Sequence, residues 1–204
     1  RVNEVAGSIK SMEIRGAGNI LGPEQHGFMM AVGYELYCSL LEQAIETMKG
    51  RSEPIVREIQ PRINLHVNAF LPSAYVPNQQ QKIELYRRIA VLENKEELKD
   101  MISELRDRYG RLQPPVENLL LVMRLRQLAR EKNIESIEQQ KEQTLLRFRG
   151  DKNFDIEKLW GMVNTHRRNI SLKMGKQITL RLKNLPREEK KYLNFIIAVL
   201  EEVI

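Results

Sequence analysis

Residues 114–132, PPVENLLLVMRLRQLAREK, constrain the fold of this chain more than any other stretch. Pro115 suits the first turn of a helix, where its missing N–H would have no partner anyway. From there Leu119, Leu120, Val122, Met123 and Leu125 make the helix apolar over much of its circumference. A helix of that kind has to be covered on most sides, so this one is expected at the centre of a domain. Arg124, Arg126, Arg130 and Lys132 give its later half a positive edge, read either as a solvated face with dipole partners or as a nucleic-acid footprint.

The segments around it supply the cover. Ile63, Leu65 and Val67 alternate with Arg62, Asn64, His66 and Asn68, the period of a half-buried strand with His66 facing solvent. Pro72 and Pro77 enclose a turn. After it Gln79 to Leu92 is helical, with Ile83, Tyr86, Ile89 and Ala90 on one face. Asn94 is placed as N-cap of a helix from Lys95 to Tyr109, with Glu97 three residues on and Gly110 as the stop. Leu98, Ile102 and Leu105 form its buried stripe, which leaves Glu104 and Asp107 exposed three residues apart.

Beyond Lys132 the pattern changes to short strands at Ile134 to Ile137 and Thr144 to Phe148, then a helix from Phe154 to Val163. A hairpin of Ile170 to Leu172 with Ile178 to Leu182 turns at Met174-Gly175, and Glu188 to Glu202 closes the chain as a helix with Tyr192, Phe195, Ile196 and Leu200 inward. The expected class is α+β: an N-terminal loop and long linking helix, then a compact domain of helices packed on short, partly antiparallel strands. Three parts are expected: residues 1–50, a linker at 51–61 marked by Gly50, Pro54 and Pro61, and a domain over 62–204.

The linking helix is read at Phe28 to Lys49, where Tyr34, Tyr37, Leu41, Ile45 and Met48 recur at helical spacing opposite Glu35, Glu42 and Glu46. Before it lies Met12 to Gly27, MEIRGAGNILGPEQHG, with Gly16, Gly18, Gly22, Gly27 and Pro23. Those residues set Arg15 and Gln25 by backbone conformation, one offering a planar guanidinium and the other a carboxamide. A Gly-rich loop can cradle phosphate, but no Lys-Ser/Thr pair follows as a P-loop requires. A plain structural loop is the other reading.

Charge and composition narrow the function. The net charge of +6 comes from 33 basic and 27 acidic residues interleaved along the chain, which permits nucleic-acid contact without demanding it. Cys38 stands alone, so no internal disulfide is possible. No apolar run approaches the roughly 20 residues of a membrane span, and no leader pattern precedes the domain, so the chain reads as cytosolic with no membrane partner. It begins at Arg1 and reads as a fragment. His26, His66 and His166 lie far apart without Cys pairs, and Walker A, G-x-S-x-G and H-E-x-x-H patterns are missing from the sequence. No catalytic residues, metal or cofactor are expected in this chain.

MEIRGAGNILGPEQHG resembles the segment after the last helicase motif in the transcription-repair coupling factors and, more distantly, in the branch-migration helicase RecG. The resemblance continues in order through YELYCSLLEQAIETMKG, FLPSAYVP, KIELYRRIA and ELRDRYGRLQPP. Ser11 stands where the family has Asp, and His26 where it has Ser. The resemblance implies the end of a translocase module followed by a C-terminal regulatory domain. The parent would be an ATP-dependent double-stranded DNA translocase, with ATP and Mg held by its motor, that displaces stalled RNA polymerase and recruits excision repair. It further implies that Arg15 and Gln25 couple ATP hydrolysis to translocation. The domain would clamp a UvrB-like module of the same protein and mask its UvrA-binding surface. Glu104 and Asp107 would form the acidic edge that meets that module; the alternative is a solvated pair with no partner. Two rival readings remain: a nucleic-acid-binding accessory domain using Arg124, Arg126, Arg130, Arg147, Arg149, Arg167 and Arg168, and a structural adaptor without regulatory effect.

Overall fold

A computed structural model describes residues 61–150 and 156–202. The loop holding Arg15 and Gln25, the linking helix at 28–49 and the linker up to residue 60 lie outside the described residues. Within them the order is β1 (Arg62–Asn64), α1 (Gln79–Ala90), α2 (Lys95–Tyr109), α3 (Pro114–Glu131), β2 (Ile134–Gln140), β3 (Gln143–Phe148), α4 (Ile156–Thr165), β4 (Ile170–Lys173), β5 (Thr179–Lys183) and α5 (Glu189–Glu202). The fold is α+β.

The strands form one five-stranded sheet in the order β1-β2-β3-β5-β4. β1 runs parallel to β2, pairing Ile63 with Ile137, and every other neighbour is antiparallel. Alternation decides which side is buried. Ile137, Leu146, Phe148, Leu180 and Leu182 are fully covered, while Glu138, Leu145, Arg147 and Arg181 on the intervening positions are partly exposed. The buried side chains join those of α4, α5 and the later half of α3 in one cluster.

A second cluster holds α1, α2, the turn at Leu71 to Val76 and the earlier half of α3, including Val116, Leu119, Leu120 and Met123. α3 therefore belongs to both cores, as its apolar circumference predicts. Its polar side chains hold what its apolar ones leave. Gln127 donates to the carbonyls of Leu92 and Asn94 at 3.2 and 3.0 Å, and Arg130 donates to that of Glu93 at 3.2 Å. Asn118 donates to the Asn68 carbonyl at 2.9 Å and to Glu189 at 2.7 Å, which stitches the strand exit to the start of α5.

Several expectations need adjustment. The alternation after Pro61 persists in burial as far as Val67, but the ladder ends at Asn64, because the Gln139 side chain takes the His66 N–H at 2.8 Å. On α1, Ile83 is only half-buried, and Lys82 and Leu85 occupy the inner face with Tyr86, Ile89 and Ala90. β2 and β3 are longer than expected and joined directly by Lys141-Glu142 into a hairpin, with Lys141 at φ 51°. α4 begins at Ile156, and Phe154 lies outside the described residues. On α5, Phe195 is half-buried while Leu193, Ile197 and Val199 go inward. On α1 and α5 the shift arises because the buried arc is wider than a single stripe.

Removing side-chain volume from α3 should be costly. Leu125 is completely buried against the sheet. Leu125→Ala is expected to lower stability by about 3 kcal/mol, read as a fall in the urea midpoint. A loss under about 1 kcal/mol would mean that this site is not the packed centre described.

Candidate docking surface

α2 is the element whose position is most fully specified. At its start the Asn94 side chain accepts from the Glu97 N–H at 2.9 Å, and the Glu97 carboxylate accepts from the Glu93 N–H at 2.8 Å. The reciprocal cap was expected, shifted by one residue on its return leg. At its end Gly110 adopts φ 78°, and its N–H donates to Arg106 at 2.9 Å. A side chain there would meet nothing within 4 Å, so the backbone angle and not crowding calls for glycine.

The two acidic residues expected at an exposed edge are treated differently by the fold. Glu104 is half-buried, with 28% of its side chain exposed, and turns toward α1. One carboxylate oxygen accepts from Arg88 Nη1 at 2.6 Å and from Arg108 at 2.8 Å, while the other pairs with Arg88 Nη2. These hydrogen bonds, Arg88 first and Arg108 second, hold the Glu104 carboxyl far below its ordinary 4.5, at about 2. Arg108 also lies 5.3 Å above the Tyr109 ring. The expectation of an exposed Glu104 is thus corrected: it braces α2 to α1.

Asp107 is exposed and makes no ion pair among the described residues. It ends a stripe of exposed side chains, Glu96, Asp100, Ser103 and Asp107, spaced i, i+4, i+7, i+11 along the outer face of α2. Lys99 donates to Glu96 at 3.2 Å and draws its carboxyl down. The stripe was legible as a periodicity, although the sequence reading singled out the Glu104 and Asp107 pair.

Beside the stripe, α2, α3 and α5 enclose an apolar groove of about 360 Å3 with Leu98, Ile102, Leu112, Leu120 and Ile197 in its lining. Lys95, Arg106 and Lys190 line it as well, and Lys190 pairs with Glu117 at 2.9 Å. The cations expected to form a positive edge on α3 are mostly committed. Arg124, with only 14% of its side chain exposed, meets Glu131 at 3.6 Å and Glu201 at 3.2 Å. Arg147 on β3 meets Glu138 at 2.6 Å. Arg124 is therefore a strut between α3 and α5, not a solvated side chain. Arg126 is half-buried, and Arg167 donates to Asn164 at 3.1 Å.

Comparison with known proteins fits this arrangement to a family. Residues 65–159 match the model of the TRCF domain. The chain carries a TRCF domain. A transcription-repair-coupling factor of Bacillus subtilis (strain 168) is 32% identical over 200 residues, covering 95% of this chain and 17% of that protein. One of Escherichia coli (strain K12) is 38% identical over 130 residues, covering 62% of this chain and 11% of that protein. The chain thus spans less than a fifth of the length of these curated relatives. The crystal structure of a transcription-repair coupling factor C-terminal domain has the same fold, with a TM-score of 0.61 at 19% identity, covering 72% of this chain and 96% of that one.

Within the TRCF domain Lys82, Asn118, Gln127, Ser136 and Thr144 are buried polar residues, and Lys82 and Gln127 are two that interrupt the apolar faces of α1 and α3. Lys82 is 2% exposed, and its ammonium donates to Ser73 Oγ at 2.8 Å, with burial pushing its pKa down. Gln127, at 3%, holds the α1–α2 turn. Each sits inside an apolar stripe, where a lone polar residue needs a local partner; that interruption was the available signal.

The Glu104 brace makes a pH prediction. A carboxyl whose pKa falls on folding adds stability above its unfolded value, and the contribution disappears as pH drops through the folded value. Glu104→Gln is expected to cost about 1 kcal/mol at neutral pH, a modest figure because the pair is partly solvated. The difference from wild type should fade between pH 4.5 and about 2, followed by urea unfolding across that range. Asp107→Asn should leave stability at neutral pH unchanged.

Proposed function

We propose that this domain is the C-terminal regulatory domain of an ATP-dependent DNA translocase that displaces stalled RNA polymerase and recruits nucleotide excision repair. In this reading residues 1–50 end the translocase module, 51–61 link, and 62–204 form a releasable clamp on a UvrB-like module of the same protein, masking its UvrA-binding surface. ATP and Mg belong to the motor, double-stranded DNA is its track, and this chain performs no chemistry of its own. The observation that carries the proposal is the outer face of α2. A helix capped at both ends and braced by Glu104 presents unpaired carboxylates at Asp100 and Asp107 beside an apolar groove. The stripe suits a partner's arginines, the groove beside it, lined by Lys95, Lys99 and Arg106, takes an apolar side chain of that partner, and the exposed charges let salt or a competing partner release it. Glu104 acts here by positioning the helix and Asp107 by contact. Arg15 and Gln25 would transmit motor closure, changing partners between two states.

The nucleic-acid alternative based on α3 is weakened by the pairing of Arg124 and Arg147 with carboxylates and of Arg130 with the Glu93 carbonyl.

In the intact factor, Asp107→Arg should raise UvrA affinity roughly tenfold, the equivalent of about 1.4 kcal/mol removed from the clamp, and raise the ATPase rate, with the melting temperature unchanged. If UvrA binding stays as hidden as in the wild type, the clamp reading fails. Arg15→Ala should leave DNA-stimulated ATP hydrolysis but abolish displacement of stalled polymerase; normal displacement would remove Arg15 from the coupling role.

A further inference from the structure

The β2–β3 turn and the loop after β5 bound a second and larger cleft of about 940 Å3, with no α2 residue in its lining. Three cations line it from two segments: Lys141 in the hairpin turn, and Lys183 and Arg187 at the two ends of the stretch that leads from β5 toward α5. All three are exposed, and none forms an ion pair among the described residues, in contrast to Arg124, Arg147 and Lys190 elsewhere. Two carboxylates share the lining. Glu189 accepts from the Asn68 backbone N–H, the Asn68 side chain and Asn118, and Glu142 is the only other.

The rest of the lining has a definite chemistry. Gln140 and Gln143 each carry a carboxamide that both donates and accepts, which matches the alternating groups of a peptide backbone, while the Asn184 amide donates to the Arg168 carbonyl at 2.9 Å and keeps its side-chain oxygen as acceptor. Val67, Leu185 and Pro186 add apolar surface. Tyr192 is 4% exposed and hydrogen-bonded to Thr144 at 2.7 Å, so its ring is closed to a base, which leaves the exposed His66 imidazole as the ring on this lining. Lys141 and Asn184 are two of the three non-glycine residues at positive φ among the described residues, and the pairing of Gln143 with Lys183 brings their turns side by side. Asn184 is of a type that tolerates this conformation, whereas Lys141 adopts it against its preference.

We propose that this cleft binds an extended, acidic segment of a partner protein, with its carboxylates on Lys141, Lys183 and Arg187 and its peptide groups on the carboxamides. Charge complementarity selects the occupant. Cations left unpaired around amides and apolar surface fit alternating acidic and apolar side chains, whereas a nucleic acid held here would have three phosphate contacts and a single imidazole to stack on.

The test uses the whole chain and a fluorescein-labelled peptide of about ten residues alternating Glu with Ser and Leu, measured by anisotropy at low salt. A Gln-for-Glu version of the peptide and a duplex of about 20 base pairs serve as comparisons. The acidic peptide should bind, the Gln version should not, and Lys141→Glu/Lys183→Glu/Arg187→Glu should weaken binding at least roughly tenfold. Arg167→Glu/Arg168→Glu should leave it unchanged. In the wild-type chain, the side-chain amide resonances of Gln140, Gln143 and Asn184 should shift on titration, a readout that does not depend on the triple variant folding. No binding, binding indifferent to the three cations, or unmoved amide resonances would overturn the proposal. Tighter binding of the duplex through the same three cations would overturn it in favour of a nucleic-acid site.

Discussion

Helix α3 is buried along both of its ends, and a helix with apolar side chains around most of its circumference can be stable only if separate layers cover separate arcs. Its first half sits in the core shared with α1 and α2, and its second half in the core shared with the sheet, α4 and α5. Neither layer is complete without it. The polar groups it carries are placed where backbone would otherwise be unsatisfied: Gln127 and Arg130 on the α1–α2 turn, Asn118 on the exit of the first strand. Losing packing on α3 would loosen the position of α2, and with it the face proposed to dock.

That dependence explains why a charged pair three residues apart splits into two roles. Three residues of helix turn the direction of a side chain by roughly 60°, enough for one to meet a neighbouring helix while the other meets water. Glu104 falls within reach of Arg88 and becomes part of the support; Asp107 falls outside it and stays available. A half-buried carboxylate held by two guanidinium groups resists a competing partner, whereas an exposed one exchanges readily. The same division separates the committed cations Arg124 and Arg147 from Lys141, Lys183 and Arg187 at the cleft.

The family assignment and the fold support each other without duplicating. The match to the TRCF domain ends at residue 159, before β4, β5 and α5, yet those elements complete the sheet and cover α3. The likeness to the solved C-terminal domain covers 72% of this chain and 96% of that one at 19% identity, so it is a likeness of fold. Both surfaces discussed draw on α5 or the loop before it.

Local rules in the sequence determined most of the elements: the Asn94 cap with Glu97, the stop at Gly110, the proline start and central place of α3, the hairpin at Met174-Gly175 and the α+β class all follow from near-neighbour chemistry and periodicity. The acidic stripe on α2 was legible for the same reason, since helical spacing alone aligns Glu96, Asp100 and Asp107. Only the tertiary structure decided that Glu104 is a brace, that Arg124 is a strut to α5, that Lys82 lies inside, and that Lys141, Lys183 and Arg187 share one cleft. Each of these depends on groups separated by 9 to 77 positions or brought together from two segments. A charged side chain has the same local pattern whether its partner is water or a distant residue, and the packing of one element on another chooses between them.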